Sequence, residues 1–281
     1  MRLGIVTPAL TMLPNAHANW EQDATWADIV AIAQAADRLG YDHLTCSEHI
    51  AVPTPDAAVR GGRYWDPLAT FGYLAAVTTK IRFVTYVLVL GYHHPLEIAK
   101  RYGTLDQVAA GRLVLGVGVG TLEAEVELIG AAFASRGERA DDALRALRAS
   151  WGITRPEYRG PHYAFGDVVV EPTSPRRDVP IWVGGQGARS LRRAVELGDG
   201  WAPFGLKPAA AQTLLADAGS PALDVALQPP RPVDPIGDAG RAADTLTELE
   251  QADATHATLR FVHHSARHYV EQLEALIALR R

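Results

Sequence analysis

The chain has 281 residues, 48% of them hydrophobic and 21% charged, the balance of an ordinary folded protein with a large buried core. Its net charge of −5 and three scattered lysines, Lys80, Lys100 and Lys207, leave no basic stripe and argue against nucleic acid or a membrane surface as partner. A single cysteine, Cys46, excludes an intramolecular disulfide and fits a reducing compartment.

Met1 to Leu13 carries one arginine and short apolar runs broken by Thr7 and Pro8, so no signal peptide or membrane span is expected and the expected location is cytoplasmic. Leu3 to Thr7 reads as the first strand. Trp26, Ile29, Val30, Ala33 and Leu39 then recur at helical spacing, with Thr25 as N-cap, Asp28 at N3 and Gly40 as the stop. The same unit recurs as Asp42 to Cys46 before a helix from about Pro67 to Thr78, Ile81 to Leu90 before Pro95 to Ala109, and Arg112 to Val117 before about Glu138 to Trp151. Cys46, closing the second strand, reads as a small buried hydrophobe or as a catalytic thiol. The stretch from Ile50 to Trp65 is long enough for a lid or pocket wall, lined by Tyr64 and Trp65 unless Trp65 only anchors the next helix.

Tyr158 to Pro172 breaks the rhythm, and its apolar residues around Gly166-Asp167 read as a hairpin. The rhythm then resumes: Ile181 to Gly184 and Ala188 to Leu197, Gly200 to Phe204 and Pro208 to Ala218, Leu223 to Gln228 and Asp238 to Ala252, Ala257 to Val262 and Ala266 to Leu279. Eight strands alternating with eight helices predict an α/β fold, a (β/α)8 TIM barrel spanning 1–281 as one domain, with an insertion at about 152–178 after the fourth unit. Pro229 to Pro235 reads as a loop, since the pattern continues in step beyond it. Chemistry in such barrels sits at the C-terminal strand ends, which here carry Ser47-Glu48-His49, His93-His94, Gly118 to Thr121, Gly184 to Gly187 and His263-His264.

The run Arg112 to Thr121 passes from a doubly buried strand pattern into alternating glycines at Gly116, Gly118 and Gly120, where backbone can approach a ligand closely. With it come Ser47-Glu48-His49, Thr79-Lys80-Ile81-Arg82, His94-Pro95-Leu96 with Ala99-Lys100, Thr104-Leu105-Asp106, Gly111-Arg112, Glu171-Pro172, Pro180 to Gly185, Leu191-Arg192-Arg193 and Gly198-Asp199-Gly200-Trp201. This ordered set, between residues 42 and 203, resembles the luciferase-like monooxygenase superfamily, and residues 79 to 121 resemble its branch of oxidoreductases using the deazaflavin coenzyme F420. The Ala- and Arg-rich composition fits an actinobacterial source.

The resemblance implies a redox barrel whose flavin-type ring lies against strands three and four. It places a bulge with a non-prolyl cis peptide at about Tyr86-Val87, and cofactor contacts at Ser47, Gly116, Gly118, Gly120 and Thr121; close packing against a neighbouring helix is the other reading of the glycines. Gly184, Gly185, Gln186 and Gly187, with the helix start at Ala188, match a loop that holds the cofactor phosphate, or form a plain helix-entry turn. His49 matches an active-site histidine that exchanges the proton accompanying hydride transfer, or is a hydrogen-bonded structural histidine. Thr121 departs from the family, standing where relatives carry a catalytic glutamate or a tryptophan.

Glu48 is expected to orient or bridge, pointing away from His49, while Glu123 and Glu125 are expected to face solvent in the register Leu122 to Ile129. His17, His93-His94 and His263-His264 suggest a metal site, but lack an acidic partner at ligand spacing, and no metal is expected. The expected function is F420-dependent hydride transfer to or from a small-molecule substrate. The alternatives are an FMN-dependent monooxygenase and a barrel that binds flavin or deazaflavin without turnover. The family resemblance also leaves room for a homodimer.

Overall fold

The computed structural model describes residues 1–14 and 16–280. Eight parallel strands close into a barrel: β1 (Arg2–Val6), β2 (His43–Cys46), β3 (Arg82–Thr85), β4 (Leu113–Gly118), β5 (Ile181–Gly184), β6 (Gly200–Ala202), β7 (Asp224–Leu227) and β8 (His256–Leu259). Each pairs with the next in sequence, and Leu3 opposite Ala257 joins β1 to β8. The helices α1 (Trp26–Leu39), α2 (Pro67–Val77), α3 (Pro95–Val108), α4 (Arg136–Ser150), α5 (Ala188–Leu197), α6 (Pro208–Asp217), α7 (Ala239–Gln251) and α8 (Ala266–Leu279) follow their strands in order. The expected (β/α)8 barrel is present.

Local chemistry sets the helix ends where the sequence places them. The Thr25 hydroxyl accepts the Asp28 amide, the Asp28 carboxylate accepts the Thr25 amide at 2.8 Å, and Gly40 ends α1 in the left-handed region at φ 80. Inside the barrel, Trp182 packs among Val84, Val114, Ala202 and Ala226, a large ring filling space left by small neighbours. The N-terminal end of the barrel is closed by polar groups. Asp42 Oδ2 lies 2.8 Å from His43 Nδ1 and 2.5 Å from Arg82, which also contacts His256 Nε2 at 3.0 Å.

The third strand departs from the expected continuous run Ile81 to Leu90. Its regular part ends at Thr85, the Tyr86-Val87 peptide is cis, and Leu88–Val89 resumes the pairing against Val117 and Gly118. The insertion differs in its turn. Tyr158–Arg159 pairs antiparallel with Ala164–Phe165, so the chain reverses at Gly160 to Tyr163, and Gly166-Asp167 lies beyond the second strand with Asp167 at φ 55. The physical reason is Asp142 on α4, whose carboxylate accepts the amides of His162 and Tyr163 and, at 2.5 Å, the Tyr158 hydroxyl. Among the described residues no helix is long and apolar enough to cross a membrane.

Candidate active site

A cavity of about 510 Å³ opens at the C-terminal ends of the strands, lined by residues at the ends of all eight, with Phe204 and Gly205 following the sixth. A hollow beside the hairpin, lined by residues 157–159 and 164–167, lies away from the strand ends. The segment after β2 forms one wall of the main cavity. Thr54–Arg60 is a short helix, and Arg63–Tyr64 pairs antiparallel with Thr11–Met12, bringing Val59, Arg60 and Tyr64 to the lining. Gly61 is required there: at φ 76, a Cβ would stand 1.8 Å from the Met12 carbonyl oxygen. Trp65 turns away and packs edge-on against Trp26 at 4.8 Å.

The opposite wall is built on Val87. Its side chain occupies the space where Gly118 and Gly184 would carry Cβ atoms, 2.6 Å and 2.8 Å away. Gly116 has the same reason for being small, since its Cβ would fall 1.9 Å from the Thr85 carbonyl oxygen, and it does not line the cavity. The alternating glycines thus admit the third strand as well as exposing backbone at Gly118 and Gly120. The Ser47 hydroxyl donates to the Tyr86 carbonyl at 2.9 Å and ties β2 to this wall. Thr7 and Tyr86, both lining the cavity, have hydroxyls without a hydrogen-bond partner among the described residues. A flat heteroaromatic ring with carbonyl and N–H groups on its edge fits this set: an apolar wall, exposed glycine backbone and two uncommitted hydroxyls.

His49 projects into the cavity with its ring 4.4 Å, centroid to centroid, from Tyr64. Its Nδ1 lies 2.5 Å from Oε2 of Glu125, while Glu125 Oε1 accepts the amides of Ile50 at 2.7 Å and Ala51 at 3.0 Å. This corrects the solvent-facing expectation for Glu125, which is fully buried; Glu123 does face solvent. In the helix Glu123–Leu128, Glu125 shares a face with the buried Leu122 and Val126, and the donors from the loop after β2 make that burial tolerable. Burial alone raises the Glu125 pKa, but the Ala51 amide, His49 and Tyr92 outweigh it and hold the carboxyl below its usual value. As a carboxylate it only accepts, so in the neutral imidazole the proton sits on Nδ1 and the lone pair on Nε2.

Glu48 points the other way, as expected, accepting the Val89 amide at 2.7 Å and contacting His93 Nε2 at 2.7 Å. It locks the segment beyond the cis peptide to the end of β2. His94 caps α3, His264 stacks on His268 at 4.1 Å, and His263 Nδ1 accepts the Trp20 indole N–H at 2.9 Å. Among the described residues no three His, Cys, Asp or Glu side chains are grouped to hold a metal ion. Cys46 is buried and its Sγ contacts the Trp65 carbonyl at 3.3 Å; burial pushes the thiol up, away from a reactive thiolate.

Of the residues singled out in the sequence, Ser47, His49, Tyr86, Val87, Gly118, Gly120, Thr121, Gly184 and Gly185 line the cavity. Gln186 and Gly187 do not. The Gln186 amide donates to the Phe204 carbonyl at 2.7 Å, and Gly187 is the exposed N-cap of α5. Thr121 accepts a hydrogen bond from Arg60 at 3.3 Å, linking the glycine strand to the short helix across the mouth. Sequence reasoning missed Glu125 and Arg260. Spacing from Leu122 was the available signal for the first, and position at the end of the eighth strand for the second.

The luciferase-like monooxygenase family model matches residues 1–222. An uncharacterized protein of Mycobacterium tuberculosis (strain ATCC 25618 / H37Rv) is 30% identical over 246 residues, covering 83% of this chain and 84% of its own. An F420-dependent glucose-6-phosphate dehydrogenase of Microbacterium testaceum (strain StLB037) is 28% identical over 225 residues, covering 79% of this chain and 62% of its own. The solved structure of an F420-dependent secondary alcohol dehydrogenase in complex with an F420-acetone adduct superposes with a TM-score of 0.77 at 15% identity, covering 100% of this chain and 99% of that one, a likeness of fold. The strand-end cavity, the bulged third strand and the matched span agree: the chain belongs to the luciferase-like monooxygenase family of oxidoreductases.

Proposed function

We propose that the protein is an F420-dependent oxidoreductase that moves a hydride between the deazaflavin and a small organic substrate, with His49 exchanging the accompanying proton. The observation that carries this reading is the buried Glu125 carboxylate held against His49 Nδ1, which leaves Nε2 as a proton acceptor inside the cavity. Bound F420 supplies the two-electron hydride chemistry.

The chain's own residues supply placement and proton handling. Val87 and the glycine backbone at Gly118 and Gly120 form a wall for the ring, and Gly184 and Gly185 offer backbone to the phosphate at the rim. Ser47 fixes the Tyr86 carbonyl, so the wall does not shift relative to His49. His49 Nε2 takes the proton of a substrate hydroxyl as the hydride leaves the adjoining carbon, and returns it in the reverse direction. Tyr64, packed on the imidazole, keeps the ring from turning. The short helix Thr54–Arg60, joined to Thr121 through Arg60, restricts access of water over the site.

FMN-dependent monooxygenation is the second reading, favoured by Thr121, which puts no carboxylate at the end of the glycine strand. Parallel fluorescence titrations of the purified protein with F420 and FMN separate the two. F420 binding at least about tenfold tighter than FMN supports the first reading, the reverse order supports the second, and binding of neither overturns both.

A further inference from the structure

The charged groups that line the cavity differ in how they are engaged. Glu21 accepts the amides of Ala9 and Ala18, each at 2.7 Å, and Glu48 is held by Val89 and His93. Arg60 donates to Thr121. Arg260, half-buried, is left: among the described residues its guanidinium has no carboxylate within ion-pair distance and no hydrogen bond. Gln228 lines the same cavity, half-buried, with its side-chain amide equally uncommitted among those residues.

Their directions follow from strand alternation. Ala226 on β7 packs in the barrel interior, and Thr258 on β8 meets the buried His43 ring at 2.9 Å. Gln228 and Arg260 lie two residues beyond these, so both turn inward over the barrel mouth. They sit on adjacent strands, since Ala226 is in register with His256 and Leu227 with Ala257. β8 is four strands from β4 in either direction round the closed ring, so Arg260 faces the glycine wall from the far side. Strand ends seven and eight are also where barrels commonly seat an anionic group.

A partly buried guanidinium in a concave site is costly without a counter-charge, and its planar fork matches an oxyanion bidentately. One guanidinium and one neutral amide compensate a single negative charge. A phosphate monoester carries close to two near neutral pH, whereas a carboxylate carries one. We propose that Arg260 and Gln228 form a carboxylate-binding subsite, so that the substrate is a small organic acid whose reacting carbon lies between this subsite and His49. This deepens the functional reading above and rests on it for the identity of the cavity as the substrate chamber.

The probes are benzoate, its neutral counterpart benzamide, and inorganic phosphate, each titrated calorimetrically into the wild-type protein with and without F420. Benzoate is expected to bind at least about tenfold tighter than benzamide and tighter than phosphate. Arg260→Met abolishes that preference, Arg260→Lys restores part of it, and Gln228→Leu weakens benzoate several-fold, while F420 affinity stays within about twofold of wild type. Equal binding of benzoate and benzamide, tighter binding of phosphate, or an undiminished preference in Arg260→Met overturns the proposal. Loss of F420 affinity in Arg260→Met with the benzoate preference intact also overturns it, assigning the arginine to the cofactor's acidic tail. Melting curves report whether each variant folds, and Arg260→Lys keeps the test decisive if Arg260→Met does not. Failure of both cofactor titrations with benzoate selectivity retained removes the hydride-transfer reading and leaves the subsite standing.

Discussion

Nδ1 of His49 lies 2.5 Å from Oε2 of Glu125, a fully buried carboxylate 76 residues further along the chain. The contact fixes which imidazole nitrogen carries the proton, and it joins the end of β2 to the short helix that follows the glycine strand.

The first prediction tests the pair as a unit. His49→Ala lowers kcat roughly 10²- to 10⁴-fold on any substrate the protein turns over, with cofactor affinity little changed. Glu125→Gln preserves the shape but puts an amide against Nδ1; it is expected to lower kcat by a smaller factor, and the double variant to be no worse than His49→Ala alone. Steady-state kinetics with a cofactor titration reads all three. Additive losses would show that Glu125 does not act through His49.

The second concerns the wall. Gly118→Ala and Gly184→Ala each place a methyl in the space filled by Val87 and are expected to cost about 1–3 kcal/mol in stability together with cofactor affinity. Val87→Ala combined with either restores much of the loss, because the clash partner is gone. Urea unfolding and cofactor titration of the two four-member cycles measure this, and absence of rescue would place the role of the glycines elsewhere.

The third is a pH dependence of stability. Burial pushes the pKa of His256 and of His263 down to about 4, from an ordinary histidine value of 6.5, and pushes His43 down as well. A base with a depressed folded pKa leaves the unfolded chain holding more protons, so stability is full above about pH 6.5 and falls as pH drops toward 4. Each of the two is worth up to about 3 kcal/mol by linkage. His93 acts in the opposite sense: burial lowers its pKa, Glu48 outweighs this, and the stabilisation present below pH 6.5 is lost as pH rises through its raised folded value. The net expectation is a falling urea midpoint between pH 6.5 and 4, flattened in His256→Asn. A midpoint that rises over that range would contradict it.

The fourth concerns the insertion. Asp142→Ala removes the acceptor for the Tyr158 hydroxyl and for the His162 and Tyr163 amides. It is expected to cost roughly 2–4 kcal/mol in stability and to release hydrogen-exchange protection across residues 158–165, with cofactor binding unchanged. Protection retained there would mean the hairpin holds itself.

The barrel was legible because each strand and helix announces itself over a few neighbouring residues. Thr25, Asp28 and Gly40 bound α1 through contacts within the helix itself, and Ile181–Gly184 and Ala188–Leu197 lie where the pattern predicts. The hairpin turn was misread because Asp142, which selects it, lies outside the hairpin on α4. Gln186 and Gly187 follow the lining residues Gly184 and Gly185 but lie outside the cavity lining themselves, a position set by the path of the chain into α5.

By itself the sequence determined the alternation of strands and helices, their caps, and a histidine and glycines at strand ends, since those follow from short-range periodicity and backbone freedom. Only the tertiary structure decided that Glu125 turns inward to His49, that Val87 fills the space beside Gly118 and Gly184, and that Arg260 faces the cavity with no counter-charge among the described residues. These are contacts between segments far apart in the chain, and their energies depend on burial and mutual orientation, which exist only once the barrel has closed.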